Sequence, residues 1–275
     1  MPYGTPEGDK ALTRLVTVHT LHTIKQEGEK FAVIALYDAI TAGIAERQGI
    51  EVVLVGDSLG MTVQGHSSTL PVTMEDMIYH VSAVARGNHK SLILADLPFM
   101  AYATPTDALH NCARIMQAGA HMVKLEGGAW LEDSVRQLAE RGIPVCAHLG
   151  LTPQSVNKFG GFRVQGRDEA GAKAILQDAI NLAEAGADLV LLECVPAPLA
   201  AEISRRVAVP VIGIGAGRDT DAQVLVINDI LGLTERPPKF SKNFLQQTGS
   251  IAGALYQYAS DVKAGVFPGD EHIFQ

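Results

Sequence analysis

Cysteine is scarce in this 275-residue chain. The three present, Cys112, Cys146 and Cys194, lie far apart and form no CxxC pair. That spacing indicates neither a disulfide framework nor a thiolate zinc site, and it suits a reducing cytoplasm. No apolar run approaches the ~18 residues that a membrane span needs. The start, Met1-Pro-Tyr-Gly-Thr-Pro-Glu7, lacks both the basic and the apolar region of a secretory signal. Basic runs are missing too, and the formal net charge is −8. An acidic surface repels nucleic acid and anionic membranes, which removes both as expected partners. An anionic substrate must then be drawn in by a local cation, either a metal or a specific Lys or Arg. Charged residues make up only 19%, against 47% hydrophobic, so the chain has material for a large core and is not disordered.

What is present is a repeating pattern. Short apolar, β-branched runs occupy 31–37, 52–57, 91–97, 121–126, 144–149, 188–195 and 210–215, each followed by a loop and a helix-like stretch. An eighth run at 224–230 reads equally as strand or helix. Near-continuous apolar strands are expected of a parallel sheet covered on both faces, and their alternation with helices makes the class α/β. Three junctions resemble each other: Gln48-Gly-Ile-Glu, Ala118-Gly-Ala-His and Ala185-Gly-Ala-Asp, each entering an apolar run. A glycine suits the left-handed residue that ends a helix, so these read as an internal βα repeat. Length and unit count predict a (β/α)8 TIM barrel forming a single domain, with a doubly wound open sheet as the alternative. Helical additions are expected at 13–26 and 243–263. Thr104-Pro105-Thr106-Asp107 and Thr73-Met-Glu-Asp76 carry helix start signals. Two long glycine-rich loops, 60–72 and 150–167, suit lids or binding loops.

The ends of the runs hold the chemistry. They close on Asp57-Ser58, Asp96, Lys124-Leu-Glu126, His148 and Glu193. In a barrel of this kind the C-terminal strand ends and their loops form the active site. Lys124 and Glu126, two apart, share one face of a strand, and Val123 and Leu125 face the helices. Singly, each residue has a plainer role. Asp57 or Asp96 can cap a turn, His148 can be a hydrogen-bonded core residue, Lys124 and Glu126 a structural ion pair, and Glu193 a solvated side chain. Together, a mostly acidic ring would repel itself without a cation. Carboxylate oxygens with no Cys and at most one His favour Mg²⁺ over Zn²⁺. Gly213-Ile-Gly-Ala-Gly217 suits either a phosphate-binding turn or close packing, and the glycine pattern alone does not choose.

At these residues the sequence resembles a known family. Val55-Gly-Asp-Ser-Leu-Gly60, Ala95-Asp-Leu-Pro98, Val123-Lys-Leu-Glu-Gly127, His148-Leu-Gly-Leu-Thr-Pro-Gln154, Glu193-Cys-Val-Pro196 and Ile212-Gly-Ile-Gly-Ala-Gly217 occur in this order in ketopantoate hydroxymethyltransferases. The likeness runs over about 17–266 and leaves 1–16 as a variable extension. It implies a cytoplasmic, Mg²⁺-dependent barrel, assembled as a homodecamer, in pantothenate and coenzyme A synthesis. Such an enzyme transfers a hydroxymethyl group from 5,10-methylenetetrahydrofolate to 3-methyl-2-oxobutanoate. By resemblance, Asp57 and Asp96 match metal ligands that also meet the substrate, and Glu126 matches a residue at the metal site. Ser58 and Lys124 match groups that hold the keto acid, Glu193 the proton acceptor, and His148 a residue lining the site. The chemistry would be removal of the C3 proton, stabilisation of the enolate by a metal, and attack on the folate methylene. The long loops can exclude water that would compete for that electrophile. One alternative is a Mg²⁺-dependent C–C lyase or mutase of the isocitrate lyase and phosphoenolpyruvate mutase superfamily. Several of those enzymes use a lid-loop cysteine, and neither long loop here contains one. The other is a non-catalytic barrel binding a phosphorylated metabolite at Gly213–Gly217.

Overall fold

The computed structural model describes residues 11–275. Of the extension expected over 1–16, residues 1–10 therefore lie outside the described residues. Eight parallel strands close into a barrel in sequential order. They are β1 (Phe31–Ala35), β2 (Val52–Val55), β3 (Leu92–Asp96), β4 (Met122–Glu126), β5 (Val145–Gly150), β6 (Leu189–Glu193), β7 (Val211–Ile214) and β8 (Ala222–Val226). β1 pairs with β2 on one side and β8 on the other, which excludes the open sheet.

Alternation along each strand divides the core in two. One set, including Phe31, Val33, Leu54, Leu94, Met122, Cys146, Leu191 and Val224, fills the barrel interior. The other, including Ile34, Val53, Ile93, Val123, Leu125, Ala147 and Val190, faces the helices. Both faces are buried, so the strands read as continuous apolar runs. The three repeated junctions carry glycines at positive φ: Gly49 at 79°, Gly119 at 116° and Gly186 at 110°. The helix Met74–Gly87 starts at a capping box between Thr73 and Asp76, and Pro105–Gln117 starts at Thr104 with proline in its first turn.

The two ends of the barrel differ. A helix at Val18–Gln26, shorter than the 13–26 expected, begins at a Thr17–Thr20 capping box. Its Leu21 is fully buried and packs in the interior set with Phe31, Val52, Leu92, Met122 and Leu189, which stand at strand starts. Lys25 ties the helix to Asp221 at 2.8 Å. The N-terminal end is thereby plugged, and the C-terminal end is left for the site.

The ambiguous run at 224–230 is both things at once. β8 ends at Val226, and a helical turn follows at Ile227–Ile230. The helix expected over 243–263 is split into Leu245–Thr248 and Ile251–Lys263, because Gly249 takes the left-handed conformation at φ 69° and Ser250 caps a new start. The second helix closes the barrel seam. The buried Tyr258 hydroxyl lies 2.8 Å from both Val33 O on β1 and Gln223 O on β8. Tyr258→Phe removes that donor and should destabilise the protein by about 1–2 kcal/mol. For a chain of this size each kcal/mol lowers the melting temperature by about 2–4 °C. An unchanged melting curve would show that the seam does not depend on this hydroxyl.

Candidate active site

Strand register places the ionisable side chains abreast. Asp96 on β3 pairs with Lys124 on β4, and Glu126 on β4 pairs with His148 on β5. Gly150 of β5 pairs with Glu193 of β6. Paired residues on neighbouring strands point to the same face, so the interior of the barrel mouth receives the whole set. Asp57 and Ser58 follow β2 directly. All seven candidates, Asp57, Ser58, Asp96, Lys124, Glu126, His148 and Glu193, line one cavity of about 600 Å³. Its walls are largely apolar, with Met61, Phe162, Leu191, Ile214, Phe240 and Phe274 among them.

The contacts decide between the plainer roles and the site. Asp57 caps no helix; its Oδ2 accepts from Gln154 Nε2 at 2.8 Å. Asp96 Oδ2 accepts from the Asp57 backbone N–H at 3.0 Å. Lys124 Nζ is 2.9 Å from Asp96 Oδ1 and 3.6 Å from Glu126 Oε1. It also lies 3.0 Å from His148 Nδ1. The other imidazole nitrogen, Nε2, faces Glu193 Oε2 at 3.4 Å. Asp57, Asp96, Lys124, Glu126 and His148 are all at most 5% exposed, whereas the Glu193 side chain is 16% exposed and stands at the cavity edge. Ser58 Oγ shares a hydrogen bond with Tyr37 Oη at 2.9 Å. Burial pushes the Tyr37 hydroxyl up to about 12, so it stays protonated.

Protonation follows from burial and from the uneven charge of the cluster. Burial pushes Asp57 well above the usual carboxylate range, and Asp96 and Glu126 push it further; Lys124 only partly offsets them. Burial also raises Asp96, against the pull of Lys124. Burial alone would raise Glu126, but Lys124 and His148 outweigh it and hold Glu126 below its ordinary value. Burial would lower Lys124, yet the three surrounding carboxylates raise it, so it is an ammonium. For His148, burial and Lys124 lower the value, and Glu126 and Glu193 more than compensate. The ring stands between two carboxylates, with Nδ1 3.3 Å from Glu126 Oε1 and Nε2 3.4 Å from Glu193 Oε2. Asp57 is thus the carboxylate least compensated by its surroundings.

A divalent cation fits this arrangement in a specific way. Asp96 Oδ1 rests on Lys124 alone, and Glu126 Oε1 has only Lys124 Nζ at 3.6 Å and His148 Nδ1 at 3.3 Å, outside good hydrogen-bond geometry. Four carboxylates meet one lysine and one histidine, which leaves negative charge to be balanced. Among the described residues, no group of three or more His, Cys, Asp or Glu side chains is arranged to enclose a metal. A cation here would rest on Asp57 and Asp96 and complete its shell with substrate and water oxygens, as Mg²⁺ characteristically does.

Three participants were not singled out from sequence. Gln154 lies inside a quoted motif, yet nothing in its type signals a role. Tyr102 Oη contacts Gln154 Oε1 and accepts from the Glu126 N–H at 3.3 Å. Tyr37 supports Ser58. Gly213, Gly215 and Gly217 serve packing: a Cβ at each would meet Thr220, Phe240 or Ala197 within 3.0 Å. Cys194 takes φ 47° immediately after Glu193, and its N–H donates to Ile214 O at 2.8 Å. Burial pushes its thiol far up, so it is inert.

Comparison with solved structures recovers the barrel. A 2,3-dimethylmalate lyase, described as a member of the PEP mutase/isocitrate lyase superfamily, aligns with TM-score 0.59 at 16% identity over 89% of this chain and 95% of that one. A phosphonopyruvate hydrolase in complex with oxalate and Mg²⁺ aligns with TM-score 0.60 at 14% identity over 93% and 92%. At such identities the likeness concerns fold alone. Sequence relatives are much nearer. The 3-methyl-2-oxobutanoate hydroxymethyltransferase of Saccharophagus degradans is 66% identical over 263 residues, covering 96% of this chain and 97% of that protein. That of Marinobacter nauticus is 60% identical over 261 residues, covering 94% and 99%. The profile of ketopantoate hydroxymethyltransferase matches residues 15–270. The chain belongs to the ketopantoate hydroxymethyltransferase family and is a transferase of the hydroxymethyl type.

Proposed function

We propose that the protein transfers a hydroxymethyl group from 5,10-methylenetetrahydrofolate to 3-methyl-2-oxobutanoate, giving ketopantoate and tetrahydrofolate. The setting is cytoplasmic pantothenate and coenzyme A synthesis, and the assembly a homo-oligomer, a decamer by family resemblance. No described helix is long and apolar enough to cross a membrane. The observation that carries the reading is one cavity that holds Asp57, the least compensated carboxylate, after β2 and Glu193 at the end of β6, four strands away in a closed barrel.

Asp57 and Asp96 would hold Mg²⁺, with Glu126 reaching it through water. Bound there, the ion supplies Lewis acidity to the ketone oxygen, stabilising the charge left when C3 loses its proton. Lys124, already an ammonium, has an N–H beyond those that face Asp96 and Glu126, and directs it to the substrate carboxylate. Ser58, oriented by Tyr37, donates to the same small acid. Glu193, nearer solvent than the other acids and across the mouth from Asp57, takes the C3 proton as general base. His148 lies between Glu193 and Glu126 and steadies the charge on both. One C–N bond of the folate methylene opens to an iminium, the enolate carbon bonds its carbon, and water then replaces the second nitrogen, the two folate nitrogens taking up the protons released from C3 and from water. The lyase or mutase alternative keeps only the support of fold. The regulatory-barrel alternative draws no support from the glycines of 213–217, which pack closely on Thr220, Phe240 and Ala197.

The direct test is an assay with both substrates and Mg²⁺, following ketopantoate; no product would remove the proposal. Chelation should abolish turnover, and added Mg²⁺ should restore it. Asp57→Asn removes a carboxylate that burial and its neighbours already disfavour. The metal-free variant should therefore melt no lower than wild type. Its Mg²⁺ affinity should fall by more than the roughly 10–100-fold typical of losing an outer-shell partner. Full turnover in chelator would contradict the metal assignment. Lys124→Ala should weaken keto-acid binding by about 10–100-fold, the worth of a hydrogen bond to a charged group. Calorimetry with Mg²⁺ present measures this, alongside a melting curve, because Asp96 and Glu126 lose their buried partner. Unchanged affinity would remove Lys124 from the substrate.

A further inference from the structure

The loop after β5 sends one neutral side chain back into the acidic cluster. Gln154 lies in the 3₁₀ turn Pro153–Ser155 and is 6% exposed. Its Nε2 donates to Asp57 Oδ2 at 2.8 Å and to Leu97 O at 2.9 Å. Its backbone N–H donates to Glu126 Oε2 at 3.0 Å. Its Oε1 accepts from Tyr102 Oη at 2.5 Å. Both amide protons and the amide oxygen are therefore used. The orientation is determined as well, since a flipped amide would set Oε1 against two acceptors at Asp57 and Leu97.

We propose that Gln154 is a positioning residue for the cation: it fixes Asp57 through Oδ2 so that Oδ1 is presented to the ion, and it keeps Glu126 beside Lys124 and His148. The inference rests on the reading of a divalent cation at Asp57 and Asp96. A charged donor at this place would neutralise Asp57 and remove its demand for a cation. An amide fixes the carboxylate and leaves its charge intact. Tyr102 acts one step further out, by setting the amide. Its ring is held in turn under Trp130, stacked at 6.0 Å and 10°.

The geometry also links the 150–167 loop to the cluster. The loop leaves β5 at Gly150, φ 87°, where a Cβ would collide with the Glu193 carbonyl. Four residues later Gln154 grips Asp57 and Glu126. Loop placement and carboxylate placement are thus one arrangement.

The test uses metal-free full-length protein and Mg²⁺ alone. Calorimetric titration should show affinity about 10–100-fold weaker in Gln154→Met, a near-isosteric change, as expected for a partner of a metal-binding carboxylate. Gln154→Asn, whose amide is too short to reach Asp57, should do the same. Tyr102→Phe should weaken Mg²⁺ less, and should add little in the Gln154→Met background, because its effect passes through the amide. A residue that only satisfied buried polar atoms would lower the melting temperature and leave Mg²⁺ affinity unmoved. Wild-type affinity in folded Gln154→Met overturns the inference alone. If that variant does not fold, wild-type affinity in Tyr102→Phe overturns it instead. A wild type that takes up no Mg²⁺ overturns the metal reading and this inference with it.

Discussion

One buried ammonium, Lys124, faces three buried carboxylates, those of Asp57, Asp96 and Glu126, at the mouth of the barrel. The strands leave it no other place, since register sets Lys124 abreast of Asp96 and its own strand carries Glu126 two residues on. Its charge is spent mostly on those two, 2.9 and 3.6 Å away, and Asp57 is left the least compensated. Removing charges from water is costly unless they are paired, so a cluster of this sign either takes up a proton at Asp57 or favours a further cation. Much of the site's chemistry follows from that deficit. It would suit the proposed metal, held by few protein ligands, and it suits a neutral amide rather than a second lysine at Asp57.

The barrel makes the deficit possible. Its interior is packed with aliphatic side chains up to the last turn of each strand, and the helix Val18–Gln26 plugs the other end. Among the described residues the polar layer opens to a cavity on the C-terminal side, walled by Phe162, Phe240 and Phe274. Tyr258 and the helix Ile251–Lys263 close the β1–β8 seam, so the strand ends keep their spacing. The same outer layer that makes the strands read as apolar runs keeps the inner charged residues conspicuous at their ends.

Legibility in the sequence followed from this layering. Asp57, Asp96, Glu126, His148 and Glu193 stood out because each ionisable residue interrupts or ends an apolar run, and strand ends gather on one rim. The capping box at Thr73–Asp76 and the three glycine junctions were legible because their signals are local. Gln154, Tyr102 and Tyr37 were not, because they are neutral and their partners are remote in sequence; Gln154 and Asp57 are 97 positions apart. The helix break at Gly249 was also hidden. A lone glycine in a periodic stretch is tolerated in a helix, and only the left-handed turn with Ser250 as the next cap reveals the stop. At 224–230 the residues are apolar throughout, so periodicity could not say where β8 gives way to a helical turn.

Glu193 holds the central claim, because of the four acids in the cluster it is the one nearest solvent, with His148 behind it. If it removes the C3 proton, that step precedes any use of the folate and can be observed by itself. The most direct measurement is exchange of the C3 hydrogen of 3-methyl-2-oxobutanoate in deuterated water, with Mg²⁺ and no folate, for wild type and Glu193→Gln. Wild type should exchange it, and Glu193→Gln should do so about 10²–10⁴-fold more slowly, the usual contribution of a general base, with keto-acid binding retained. Exchange by Glu193→Gln at the wild-type rate would contradict the assignment and place the base elsewhere in the cluster.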